Sequence, residues 1–250
     1  MGAVSIIYNL PDTPDLRLTP KILSSIFLGD ITQWSDAAIR SANPATPLPD
    51  TKITVVHRSE GSGTTFILSD YLTKTNTDWA TRVGRGKSLK WPAGIGVEGN
   101  SGVADMVRRV PGAIGYVSLN YAEKNALPVA MIKNRTGRFI KPTLSSVSAA
   151  ANVDLPEDTR LLITDSHAPS GYPISAFTYL IFYRDQGYDQ RSREQAQALS
   201  NLINWIIHDG QQYNRKLFYA PLPEEAVRRA EHVVDSMMYY DRPLKPLRQP

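Results

Sequence analysis

An α/β fold is predicted by three features of the sequence. Short apolar, β-branched runs at Ala3–Tyr8, Ile53–Val56 and Ala113–Val117 read as strands, and stretches with helical spacing of apolar residues lie between and after them. Hydroxyl or acidic residues stand where those helices would begin, and glycine or proline where they would end. The chain of 250 residues, 42% hydrophobic, can bury a sizeable core as one large or two small domains.

Each element follows from its residues. Ala3 to Tyr8 forms a strand ended by Asn9 and a Pro11-Asp12 turn. Thr19-Pro20 opens a helix, with proline at its first position; Ile22, Leu23, Ile26 and Phe27 share one face, and Gly29 stops it. Ser35-Asp36 caps a short helix through Ile39, and Asn43-Pro44 with Pro47-Leu48-Pro49 leads into the buried strand Ile53–Val56. After the stretch His57 to Thr65, Phe66-Ile67-Leu68-Ser69-Asp70-Tyr71-Leu72 has helical spacing, with Ser62, Thr64 and Thr65 available as caps.

Gly84 to Gly99 is expected to be a glycine-rich loop. Its Gly94-Ile95-Gly96-Val97-Glu98-Gly99 matches a dinucleotide fingerprint by letter, but Trp91-Pro92 stands where a buried strand is required, so the nucleotide reading is rejected. Asn100-Ser101 is then expected to cap a helix from Gly102 to Arg109, and Pro111-Gly112 to turn into the strand Ala113–Val117. A short helix begins at Tyr121, a turn spans Asn134 to Gly137, a small-residue helix runs from Ser145 to Ala151, and His167 to Gly171 is a loop.

Pro173 to Tyr183 is expected to be one long alternating strand, with Ile174, Ala176, Thr178, Leu180 and Phe182 on one side. Two amphipathic helices follow. The first runs from Ser192 to His208 and buries Ala196, Leu199, Leu202, Ile203 and Ile206; the second runs from Pro223 to Met238, after an extended loop from Asn214. Met237 to Tyr240 is expected to be core or lobe interface, and the residues after Asp241 a disordered tail.

The chemistry concentrates in Arg58-Ser59-Glu60-Gly61-Ser62-Gly63-Thr64-Thr65. A strand, a loop of small donors and a helix N-terminus in succession attract anions, because free N–H groups and the positive end of the helix dipole meet there. The two glycines let the backbone turn and its amides approach a bound group. Arg58 adds a planar fork that matches two oxygens of a phosphate. Glu60 would repel a dianion unless the ligand carries a proton for the carboxylate to accept, which hydrogen phosphate does and sulfate does not.

This loop resembles the phosphate-contacting loop of the periplasmic phosphate-binding proteins of ABC transporters, the PstS family, whose usual form is Arg-x-Asp-Gly-Ser-Gly-Thr. Ile26 to Trp34, Asn43-Pro44, Lys90-Trp91-Pro92, Gly99 to Val103 and Pro111 to Val117 follow that family in order and spacing. The resemblance implies a type II periplasmic-binding-protein fold, with one complete lobe over residues 9–172, hinge strands at 1–8 and 173–183, and C-terminal helices of the second lobe over 184–240. It implies phosphate contacts from Arg58, Glu60, Ser62, Gly63 and Thr64, a Glu standing at residue 60 where the family has Asp. It also implies inorganic phosphate as ligand, permease subunits of an ABC transporter as partners, and a periplasmic or cell-surface location. The family's segment ahead of the first hinge strand is expected to be missing, and no signal peptide is recognisable at Met1 to Asn9.

Composition sets limits on the alternatives. Net charge is +4 without a basic block, a poor nucleic-acid signal but one compatible with an anionic ligand. With no cysteine there is no disulfide or thiolate metal site, His167 lacks partners at ligand spacing, and no cofactor is expected. No apolar run approaches transmembrane length. A serine hydrolase using Ser62 and His57 is disfavoured, because Glu60 occupies a position where a nucleophile elbow requires glycine. A shortened, non-binding relative acting as an interaction module is the other alternative.

Overall fold

A computed structural model describes residues 1–247. In chain order its elements are β1 (Gly2–Tyr8), β2 (Arg17–Leu18), α1 (Pro20–Leu28), α2 (Ala37–Ala42), β3 (Thr54–Arg58), α3 (Gly63–Thr75) and α4 (Thr77–Arg82). Next come β4 (Ile95–Val97), α5 (Gly99–Arg109), β5 (Ala113–Ser118), α6 (Leu119–Lys124), β6 (Met131–Lys133), β7 (Phe139–Ile140) and α7 (Leu144–Ala150). The remainder is β8 (Ser175–Ala176), α8 (Arg193–Ile207), α9 (Glu224–Asp235), β9 (Met238–Tyr239) and β10 (Arg242–Pro243).

The main sheet has the order β4-β3-β5-β1-β8. β3 runs parallel to β4 and β5, whereas β1 is antiparallel to β5 and β8. Helices cover both faces, which explains why the strands read as nearly continuous apolar runs. Alternate residues divide between two cores: Ile6, Tyr8, Ile114 and Tyr116 pack with Phe27, Leu68, Tyr71 and Leu72, while Ile7, Ala113 and Val117 pack with Val103 and Val107 of α5. A third core joins Ala196, Ile203 and Ile207 of α8 to Val234 of α9 and to Met237.

Local chemistry sets most boundaries. Thr19 caps α1 by accepting the Ile22 N–H, Pro20 is its first residue, and Gly29 ends it at φ 80°. Asp36 caps α2 and Thr143 forms a capping box on α7. Asp70, on the buried side of α3, is held by Lys74 and Arg85 at 2.9 Å each and by the Thr164 hydroxyl. Burial pushes its carboxyl up, but those three partners together outweigh it and leave the pKa below the ordinary value. Asp70 thereby fastens the segment around Thr164 to the helix that carries the anion loop.

Several expectations are corrected. The long strand over 173–183 is reduced to Ser175–Ala176, which pairs with Gly2 and Ala3. A strand needs a ladder partner, and no described strand lies beside residues 177–183, where Leu180, Ile181 and Tyr183 are exposed. The glycine-rich loop contains β4, because Ile95 to Val97 add to the open edge of β3. Asn100 and Ser101 do not precede α5 but lie within it. The helix starts at Gly99 without a side-chain cap, and Asn100 instead bonds Ser118. Leu202 points out of the buried face of α8, and α9 stops at Asp235. The expected disordered tail is structured as far as it is described: β10 pairs with β9 and Leu244 enters the third core. Residues 248–250 of that tail lie outside the described residues.

Trp34 ties the turn before β5 to the core, since its fully buried indole donates from Nε1 to the Gly112 carbonyl at 2.9 Å. Trp34→Ala is expected to lower stability by about 3–5 kcal/mol through the cavity it leaves, read by urea denaturation followed by circular dichroism.

Candidate functional site

The sheet delivers the anion loop to its carboxyl edge. Arg58 is the last residue of β3, the loop spans residues 59–62, and α3 begins at Gly63. The Ser59 N–H bonds the Val97 carbonyl at 3.0 Å, and the Ser62 N–H bonds the Lys87 carbonyl at 2.8 Å. Ser62 is buried as the N-cap of α3: its Oγ accepts the Thr65 N–H and its carbonyl accepts the Phe66 N–H. The amides of Gly63 and Thr64, at the first two helical positions, then have no intrahelical acceptor. Neither Gly61 nor Gly63 has positive φ, so the expected sharp turn is not why glycine stands there. A Cβ at either position would meet no atom within 4 Å, so the glycines leave open space over the amides.

Glu60 turns back onto Arg58. Its Oε1 accepts from Arg58 Nε at 2.6 Å and also from Nη2, and it takes the Gly99 N–H at 3.2 Å. Its Oε2 is buried and has no hydrogen-bond partner among the described residues. The Arg58 hydrogen bond is the main cause holding this carboxyl down to about 2, against the upward push of burial and with smaller help from the Gly99 amide. Glu60 is therefore ionised, and the fork that the sequence aims at an anion is partly committed within the chain through Nε and Nη2.

The structure thus brings Arg58, Glu60, Ser62, Gly63 and Thr64 to one edge, and adds three groups that sequence reasoning missed. The first is the Gly99 amide of α5, which signals itself only through β4. The others are Tyr116, whose hydroxyl accepts the Arg58 backbone N–H at 3.2 Å, and Thr65, whose Oγ1 lies 2.6 Å from that hydroxyl. His57 faces away from Ser62: its ring stacks on Trp91 at 4.7 Å and Nδ1 lies 3.1 Å from the Arg58 carbonyl. Burial lowers the pKa of His57. Among the described residues no group of three or more His, Asp or Glu could hold a metal ion, and no helix is long and apolar enough to cross a membrane.

The model of the PBP superfamily domain matches residues 1–209. The chain belongs to the PBP superfamily. Within it, the chain is 42% identical over 236 residues to the phosphate-binding protein PstS of Xylella fastidiosa and covers 92% of itself and 64% of that protein. It is 36% identical over 236 residues to the PstS of Pasteurella multocida, covering 92% of itself and 67% of the relative. The chain thus spans about two thirds of the length of these PstS relatives. The fold is shared with the crystal structure of an ancestral soluble variant of the human phosphate binding protein, at TM-score 0.69 and 22% identity, over 91% of this chain and 68% of that one. This places the α/β architecture in the type II binding-protein class, as the resemblance implied.

The ion pair makes a direct prediction. Because the folded pKa of Glu60 is depressed, its contribution to stability is complete above the ordinary carboxylate range and is lost as pH falls toward about 2. Carboxyl NMR is expected to show a Glu60 midpoint near 2 in the wild type. In Arg58→Ala the midpoint should return toward the ordinary value; an unmoved midpoint would show that Arg58 is not its cause.

Proposed function

We propose that this chain is the inorganic-phosphate-binding part of a receptor that serves an ABC-type phosphate importer. The observation that carries this reading is the composition of the loop edge. Glu60 presents a buried, unpartnered Oε2 beside the Arg58 guanidinium, at the start of a helix whose first amides are open. An anion alone would be repelled by that carboxylate. An anion with one proton donates to Oε2 while its other oxygens accept from Arg58, Gly63, Thr64 and the Ser62 or Thr64 hydroxyls. Hydrogen phosphate meets both demands near neutral pH and sulfate meets only one. The names of the PstS relatives support phosphate as the ligand.

Residues 9–172 supply this wall of a two-lobed clamp, residues 1–8 and 173–183 its crossing segments, and the helices within 184–240 part of the other lobe. Permease subunits are the partners, and the receptor works outside the cytoplasmic membrane, in a periplasm or at the cell surface. Binding without chemical change suits the site, since Ser62 Oγ already accepts the Thr65 N–H and His57 stacks on Trp91 rather than facing Ser62.

Calorimetric titration with inorganic phosphate tests the reading. Arg58→Ala is expected to abolish measurable binding, because a charge-assisted bond contributes roughly 1.5–3 kcal/mol and its loss leaves Glu60 unneutralised. Affinity close to that of the wild type would remove Arg58 from the site.

Glu60→Gln concerns selectivity. Glutamine can donate where Glu60 only accepts, so the variant is expected to lose the preference for hydrogen phosphate over sulfate in competition assays. The same preference in both proteins would show that Oε2 does not read the proton.

A further inference from the structure

We propose that Tyr116 is the positioning residue of this anion site: its buried hydroxyl bridges the end of β3 to the first turn of α3 and so sets Arg58 and Glu60 against the Gly63 and Thr64 amides. Its role in binding rests on the phosphate reading above; its role in geometry does not.

Tyr116 lies in β5, next to β3 in the sheet, and is fully buried. Its oxygen accepts the backbone N–H of Arg58 at 3.2 Å and hydrogen-bonds Thr65 Oγ1 at 2.6 Å, either hydroxyl being able to donate. Arg58 immediately precedes the loop, and Thr65 is the third residue of α3, so one oxygen joins the two ends of the segment that would hold the anion. Thr65 is also the residue whose N–H Ser62 caps, which couples the bridge to the helix start. The phenol ring cannot swing freely, because Trp91 stacks near it at 5.8 Å and Phe27 lies at 6.0 Å. Burial keeps the phenol protonated, so it has one proton for Thr65 and lone pairs for Arg58.

Among the described residues, the loop is otherwise held to its surroundings by the Ser59 and Ser62 amides and by the Glu60 contacts. Losing the phenol oxygen leaves a part-buried amide and a buried hydroxyl without that partner, and the loop relieves both by letting the strand end and the helix start move apart. Such a movement alters the Arg58–Glu60 contact without touching either side chain.

The test compares Tyr116→Phe with Tyr172→Phe. Tyr172 is also fully buried and donates one hydrogen bond, to the Val4 carbonyl at 2.9 Å, away from the loop. Both variants are expected to lower the melting temperature. Only Tyr116→Phe is expected to raise the Glu60 midpoint from about 2 toward the ordinary carboxylate range in carboxyl NMR. Only it should weaken inorganic phosphate binding, by about tenfold, from the two lost bonds. Thr65→Val removes the other end of the bridge at nearly constant shape, is expected to shift both readouts the same way, and decides the matter if Tyr116→Phe does not fold. An unmoved Glu60 midpoint in Tyr116→Phe or Thr65→Val, or an equal shift in Tyr172→Phe, overturns the proposal. If the wild type binds no phosphate, the functional reading fails while the Glu60 midpoint still decides the role of Tyr116.

Discussion

The parallel pairing of β3 with β4 is the constraint on which the rest depends. His57 stands opposite Gly96 and Arg58 opposite Val97, so the two strands end at the same edge of the sheet. The helices that follow them, α3 and α5, must therefore both begin there, with their open amides and positive dipole ends on one side. The bond from the Gly99 amide to Glu60 is the direct sign of this convergence, because it joins the start of α5 to the loop that starts α3. An antiparallel β4 would have sent α5 to the opposite edge and left Glu60 with Arg58 alone.

Within that frame, the site is a balance of charge and not a cluster of cations. Arg58 is mostly buried and Glu60 about one-third exposed, at 13% and 36% of their side-chain surface. A buried guanidinium without a partner would cost several kcal/mol, so its contact with Glu60 stabilises the fold around the loop. Under the proposed function, the same contact limits what can enter, since an anion bound there meets both members of the pair. The selectivity argued for the site thus comes from the group that keeps the arginine in place.

Most of the fold was legible in the sequence, for local reasons. Thr19-Pro20, Asp36, Ser62 and Ser192 each cap the helix that their position announces, and Gly29 ends α1 in the conformation glycine favours. Failures occurred where the outcome depends on a distant neighbour. Residues 177–183 alternate as a strand should, yet pairing stops at Ala176, which lies opposite Gly2, the first residue of β1. Ile95 to Val97 look like loop beside four glycines, yet the free edge of β3 makes them a strand. Asn100 has the chemistry of a cap, yet Ser118 on β5 claims its side chain.

The sequence by itself determined the α/β class and the strand-loop-helix unit at residues 54–75, because these rest on propensity, capping and spacing within a few residues. Only the tertiary structure decided that Arg58 clasps Glu60, that the Gly99 amide joins them and that Tyr116 spans the ends of the loop. The physical reason is separation along the chain. Glu60 and Gly99 are 39 residues apart, and Thr65 and Tyr116 are 51 apart. Contacts of that range are set by how strands stack into a sheet, which no local pattern of residues records.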